Sequence, residues 1–230
     1  ASGRQLANLR ATLGATITQS PIIAENGTIV VQGDDEIHRE TITRSDAVTV
    51  VHTTRALCEQ GLDVGPVIAT RDRAYVDRID ERFVRQCAFY YAALEPVEDV
   101  LDLALDNVLK IAVYAFGDAE SECYGPLSAA VPGVQTVVSG AHWVDMMART
   151  ASKGRALAAV QERLGIEPAQ TAVFGDYLND AELYDHAELS FAMANAHPGI
   201  LSRARYIAPA NTDDGVLRMI EALLDRLPPR

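Results

Sequence analysis

Lysine is nearly absent from this chain. Of its 20 basic residues only Lys110 and Lys153 are lysines, and the rest are arginines. Cysteine occurs three times, at Cys58, Cys87 and Cys123. The odd number and the lack of metal-ligand spacing argue against a disulfide framework or a zinc site, and free thiols in a cytoplasmic protein are expected. No apolar run reaches the roughly 18 residues of a membrane span. Ala1 to Arg10 are too mixed and polar for a secretory leader. Positive charge is in deficit, with a net charge of −12, which argues against general nucleic-acid binding. An anionic small molecule is still admissible, because a bound cation can reverse the sign at one site. Repeats and low-complexity linkers are absent as well. What remains is 230 residues, 48% of them hydrophobic, enough for one large or two small α/β domains with a real core.

The most informative stretch is Thr171-Ala-Val-Phe-Gly-Asp-Tyr-Leu-Asn-Asp180. Its apolar start reads as a buried strand. Gly175 stops the strand, carboxylates follow at Asp176 and Asp180, and Ala181 to Ala187 has helical spacing. Carboxylates just past the C-terminal end of a buried α/β strand lie where such folds bind ligands. Hard oxygen donors suit Mg²⁺. A plain strand–loop–helix, with Asn179 or Asp180 capping the helix, is the competing reading.

In a chain that otherwise uses arginine, Ser152-Lys153-Gly154 keeps a compact ammonium. Lys153 opens a helical pattern carrying Ala156, Leu157, Val160 and Leu164 on one face and ending at Gly165. A cation in a first helical turn opposes the helix dipole. It is either solvated or paired with an anion.

The rest of the pattern orders itself around these motifs. Gly3–Leu13 has helical spacing, and Pro21–Ala24 and Thr28–Val31 form a hairpin about Asn26-Gly27. Glu36–Thr43 alternates as a strand. Helices are expected at 47–60, 97–107, 118–130, 153–164, 180–187, 198–203 and 214–226. Strands are expected at 64–70, 109–116, 134–139, 142–147, 171–174, 189–193 and 205–207. Residues 73–91 are irregular, with helical character. Strand neighbours concentrate in the middle of the chain. This predicts a second α/β unit inserted into a parallel α/β core.

These residues resemble the haloacid dehalogenase-like phosphatases of the Cof-like subgroup with a large α/β cap. Gly175-Asp-Tyr-Leu-Asn-Asp180 matches that family's GDxxND motif, and Ser152-Lys153-Gly154 its lysine motif. Ala1-Ser2-Gly3-Arg4 looks like its (S/T)GR motif and Glu25-Asn26-Gly27 like its NG turn. Phe191–Ala196 and Asn211–Val216 resemble two further family stretches, and all six stand in the family's order across essentially the whole chain. The resemblance implies a Rossmann-like three-layer parallel-sheet core with an inserted α/β cap. The core is expected at 1–42 and 148–230, the cap at 43–147.

In this family the nucleophile is the first aspartate of a DxDGT motif on the first core strand, upstream of (S/T)GR. No DxDGT occurs in these 230 residues. The chain therefore reads as an N-terminally incomplete copy, lacking about one βα unit of 30 residues or more, and inactive in this form. The implied activity of the intact relative is Mg²⁺-dependent hydrolysis of a small phosphorylated metabolite, a sugar phosphate for instance, through an aspartyl-phosphate.

The resemblance also assigns roles. Asp176 binds Mg²⁺, and Asp180 holds a metal-bound water or orients Asp176 and Lys153. Lys153 neutralises the phosphoryl oxygens. Ser2 and the Gly3 N–H bind a phosphoryl oxygen, and Asn179 the same phosphate or the substrate. Arg4 and Asn26 are further substrate-binding candidates with structural readings of their own. Asn195, Asn211 and Asp214 are expected to shape loops. Tyr177 replaces the family's usual small residue and is open between substrate contact and plain surface aromatic. The cap should carry specificity, with His142, Trp143, Asp145, Tyr90 and Tyr91 as candidates and packing as the competing reading. His52, His186 and His197 are expected on the surface or at caps. A monomer or homodimer is expected, and the Ala- and Arg-rich composition suggests a bacterial origin. A non-catalytic protein that binds phosphate or metal through these motifs is the alternative.

Overall fold

The computed structural model describes residues 1–14 and 19–226. Leu6–Leu13 forms α1, and β1 (Ile22–Ala24) pairs antiparallel with β2 (Ile29–Gln32) across a single 3-10 turn at Glu25–Gly27. β3 (Asp35–Arg39) extends this sheet, with a bulge at Val30/Val31. It stops short of the expected Thr43, because Thr43 turns its hydroxyl to the Asp46 N–H and caps α2 (Arg44–Glu59). α2 buries Ala47, Val50, Val51, Thr54 and Leu57, which share one helical face.

A six-stranded sheet follows. Its members are β4 (Val64–Ala69), β5 (Ala74–Val76), β6 (Leu94–Pro96), β7 (Lys110–Ala115), β8 (Val134–Gly140) and β9 (Trp143–Ala148). The spatial order is β6-β5-β4-β7-β9-β8, antiparallel except between β5 and β6. Side chains alternate across a strand, and both faces are used. Ile68, Ile111, Val113, Val144 and Met146 cluster with α2 residues and with Leu127 of α4 (Gly125–Ala130). Val67, Ala112, Tyr114 and Trp143 cluster with Phe83 and Cys87 of α3 (Glu81–Tyr90). Burial on both faces explains why β4 and β7 read as unbroken apolar runs.

Two local expectations are corrected in this unit. The stretch 73–91 resolves into β5 and a regular α3 begun by Asp80, which accepts the Phe83 N–H. The helix expected at 97–107 is instead two separate 3-10 turns, Val100–Asp102 and Leu105–Asn107. Asp99 binds the Leu101 N–H with its own side chain and pairs with Arg55 at 2.6 Å, which competes with helical hydrogen bonding there.

The second unit begins with α5 (Lys153–Leu164), capped by Ser152 through the Arg155 N–H and ended by Gly165 at φ 64°. β10 (Ala172–Gly175), β11 (Leu189–Met193) and β12 (Tyr206–Ala208) form a parallel sheet in that order. Parallel neighbours require crossovers. Leu178–His186 supplies the first, α6 (Pro198–Leu201) lies in the second, and α7 (Gly215–Leu224) follows β12. The expected α-helix at 180–187 is a 3-10 helix, because the Asp180 carboxylate turns back to the Asp176 and Tyr177 N–H groups and tightens the turn. Val173, Leu183, Tyr184, Phe191, Met193 and Ile200 form this unit's core. The chain divides by contacts into Ala1–Ala151 and Ser152–Arg230, and the α/β class expected from the sequence holds.

Candidate active site

β10 ends at Gly175, so Asp176 leaves the sheet at its C-terminal edge and is exposed. No hydrogen bond or ion pair within the described residues engages its carboxylate. Asp180 is its opposite. It is 8% exposed, and Lys153 Nζ donates to its Oδ1 at 2.6 Å. Its Oδ2 accepts the Asp176 N–H at 3.2 Å and the Tyr177 N–H at 3.5 Å. Lys153 is 6% exposed, so the cation of this first helical turn is paired with an anion. The close approach has a cause in sequence. A Cβ on Gly154 would lie 2.6 Å from the Glu182 carbonyl oxygen, and one on Gly175 would lie 2.7 Å from Asp180 Cβ. Glycine at both positions lets α5 and the 3-10 helix meet over the strand end.

Tyr184 completes the floor and was not singled out from the sequence. Its hydroxyl donates to the carbonyls of Gly175 at 3.3 Å and Phe191 at 3.1 Å. Burial, helped by Asp180 and Asp176, pushes its pKa up to about 12, so it remains a neutral donor. Its only sequence signal was helical spacing from Ala181. Asn179 is exposed in the first turn of the 3-10 helix, and Tyr177, 61% exposed, meets the His197 ring edge-on at 5.7 Å.

The remaining candidates lie together in the first unit. The Arg4 N–H donates to Ser2 Oγ at 3.2 Å. The Ser2 N–H reaches the Ile23 carbonyl at 2.9 Å, and the Asn26 N–H reaches the Ser2 carbonyl at 3.0 Å. Asn26 lies directly over Gly3, where a Cβ would come within 2.7 Å of its Oδ1. The structure thus brings Lys153, Asp176 and Asp180 together in one unit, and Ser2, Gly3, Arg4 and Asn26 together in the other.

Several lesser candidates have structural partners. Asn195 Nδ2 donates to Asn211 Oδ1 at 2.9 Å, and Asp214 adopts φ 53° at the start of α7. His197 Nδ1 accepts the Gly199 N–H and caps α6. Trp143 packs edge-on against Tyr114 at 4.8 Å and Tyr90 at 5.3 Å. Asp145 is buried beside Lys110, a contact that no local pattern announced.

A hard divalent cation suits the donor chemistry at the end of β10. Asp176 offers a carboxylate with both oxygens uncommitted, whereas both Asp180 oxygens already serve Lys153 and backbone N–H groups. Among the described residues no three His, Cys, Asp or Glu side chains converge on one point. A cation held there by Asp176 would complete its shell from water, substrate or further carboxylate. No helix of the described residues is long and apolar enough to cross a membrane.

A parallel strand ending at Gly175, a buried lysine–aspartate pair and an adjacent free carboxylate make up the site of this α/β fold. A family model for haloacid dehalogenase-like hydrolases matches residues 1–220, and the chain belongs to that family. It is 26% identical over 226 residues to the 5-amino-6-(5-phospho-D-ribitylamino)uracil phosphatase YbjI of Escherichia coli (strain K12), covering 97% of this chain and 82% of that protein. TM0651 from Thermotoga maritima has a similar structure, with a TM-score of 0.82 at 23% identity over 100% of this chain and 84% of that one. The subclass IIB sugar phosphatase BT4131 gives a TM-score of 0.75 at 19% identity over 97% of this chain and 84% of that one. These two structural likenesses bear on the fold. The family, Cof-like fold and phosphatase class expected from the sequence are met.

Proposed function

We propose that this chain carries the metal and phosphate machinery of an Mg²⁺-dependent phosphatase acting on a small phosphorylated metabolite, of which a sugar phosphate is one class. The observation that carries the reading is the buried Lys153–Asp180 pair at 2.6 Å beside the free carboxylate of Asp176. Asp176 would hold Mg²⁺, directly or through a water. Asp180 would hold a water of that ion or keep Asp176 and Lys153 oriented. When bound, Mg²⁺ neutralises charge on the phosphoryl group. Lys153 adds a fixed positive charge, and Ser2, Gly3, Arg4, Asn26 and Asn179 hold phosphoryl or substrate oxygens. An aspartate upstream of Ala1 attacks phosphorus. The alcohol leaves with a proton, and water then cleaves the aspartyl-phosphate. Residues 1–42 and 148–230 form the catalytic core in this reading, and 43–147 the cap that sets specificity. The protein works in the cytoplasm as a monomer or homodimer.

One observation favours a second reading. Residues 1–230 hold no DxDGT sequence, so the chain alone could bind phosphate and metal without turnover. The deciding experiment is Mg²⁺-dependent phosphate release from p-nitrophenyl phosphate and a panel of sugar phosphates. It is run on this chain and on a form extended upstream to its natural start. Turnover by the extended form alone supports the proposal, and turnover by the 230-residue chain refutes the upstream nucleophile. If neither form turns over but both bind inorganic phosphate, the second reading holds.

A further inference from the structure

Lys110 is the other lysine, and the site described above gives it no task. It opens β7 and is 4% exposed. Its ammonium lies 2.8 Å from Glu25 Oε2, 3.3 Å from Asp145 Oδ2 and 3.5 Å from the Gly3 carbonyl oxygen. An ammonium has three donors, and here three acceptors surround it. The Tyr91 ring centroid is 5.7 Å away. Glu25, Asp145 and Tyr91 are all buried, and the whole cluster belongs to the first unit. Burial opposes the Lys110 charge, but Asp145 and Glu25 outweigh it and hold its pKa well above the usual lysine value.

What this cation touches is a strained piece of chain. Glu25 and Asn26 have consecutive positive φ values of 48° and 59°, a conformation that L side chains rarely adopt. Such backbone persists only where its surroundings hold it. Neither Glu25 carboxylate oxygen has a hydrogen-bond partner of good geometry among the described residues, and the ion pair from Lys110 to Oε2 at 2.8 Å is what anchors this side chain. The same turn is laced to the first residues. The Glu25 N–H donates to the Arg4 carbonyl at 3.1 Å, and the Asn26 N–H donates to the Ser2 carbonyl at 3.0 Å.

We propose that Lys110 is a positioning residue. From the six-stranded sheet it pins both the Glu25 turn and the Gly3 backbone, and so holds Gly3 and Asn26 in register for an incoming phosphoryl group. The sheet that carries Asp145 and Trp143 is thereby tied to the phosphate-binding turn. That the pinned groups face a phosphoryl group rests on the phosphatase reading above; the pin itself does not.

The test uses the full-length protein and two variants. Lys110→Met removes the ammonium alone. The triple variant K110M/E25Q/D145N removes the charges together while keeping volumes close to native. A misplaced binding group costs about 10²-fold. K110M is expected to lower kcat/KM for a phosphate ester by that order. The triple variant should regain the wild-type melting temperature without regaining kcat/KM, and the amides of Glu25 and Asn26 should exchange faster in it. Recovery of kcat/KM together with stability, at unchanged exchange, would overturn the proposal and leave Lys110 a packing residue. If the triple variant does not fold, Lys110→Gln is read by the same two measurements. If the wild-type protein neither hydrolyses esters nor binds inorganic phosphate, the phosphatase reading fails. The exchange rates then decide the pin alone, faster exchange supporting it and unchanged exchange refuting it.

Discussion

Asp176 and Asp180 are four residues apart and physically opposite. Asp176 is exposed and its carboxylate is unpaired, so Asp176→Asn should abolish Mg²⁺-dependent phosphate release in the extended enzyme. Its stability should stay within about 0.5 kcal/mol of wild type, as is usual for a surface change. Urea unfolding and calorimetric Mg²⁺ titration measure the two effects. Lys153 is buried against Asp180. Lys153→Ala should remove activity and also cost about 3–5 kcal/mol, because it strands a buried carboxylate. A variant that loses activity at native stability would show that the pair is not the buried unit described here. The family resemblance implied different roles for the two aspartates but not which of them is buried, since burial depends on what packs over each.

At the scale of elements, α5 shows how a motif glycine serves packing. Alanine is a better helix former than glycine by about 1 kcal/mol, yet Gly154→Ala should destabilise the protein. The new Cβ would meet the Glu182 carbonyl at 2.6 Å, and overpacking typically costs about 1–3 kcal/mol. Gly125 in α4 has open space around its would-be Cβ. Gly125 is nonetheless helical, at φ −58° and ψ −57°, directly before Pro126, where a Cβ crowds the proline ring, so Gly125→Ala should cost stability too under the same thermal-melt assay. α3 offers a pH-dependent case. Asp80 caps it through the Phe83 N–H, and the hydrogen bond from Arg78 holds the Asp80 carboxyl below its ordinary 3.8. A lowered acid stabilises the fold above its unfolded pKa and loses that contribution as pH falls through the folded value. Asp80→Ala should therefore cost about 1 kcal/mol at neutral pH. The difference from wild type should shrink below pH 3.8, as followed by urea titrations at each pH. The start of α5 at Lys153 was legible because helical spacing is local, whereas Thr43, read as the end of a strand, instead caps α2. The broken 97–107 segment was not legible, because Asp99 answers to Arg55, a residue 44 positions away.

Across the whole chain, thiol reactivity reports how tightly the first unit is closed. Burial pushes the Cys87 thiol up to about 12 and the Cys123 thiol up to about 11, while Cys58 is exposed. The native protein should take up one maleimide, at Cys58, and three after denaturation in urea, as read by mass spectrometry. Native labelling of Cys87 would mean that the cluster around Phe83 and Tyr114 opens readily. By itself the sequence determined the family, the α/β class and the strands β4, β7, β10 and β11. It also determined the identity of the Lys153, Asp176 and Asp180 motif, because periodicity, caps and motif spacing are all local properties of a chain. Only the tertiary structure decided that Asp180 turns inward to Lys153 while Asp176 remains open, and that Lys110 reaches the Gly3 carbonyl 107 residues away. Buried charges take their partners from whatever the fold brings within a few ångströms, and no local pattern encodes that distance.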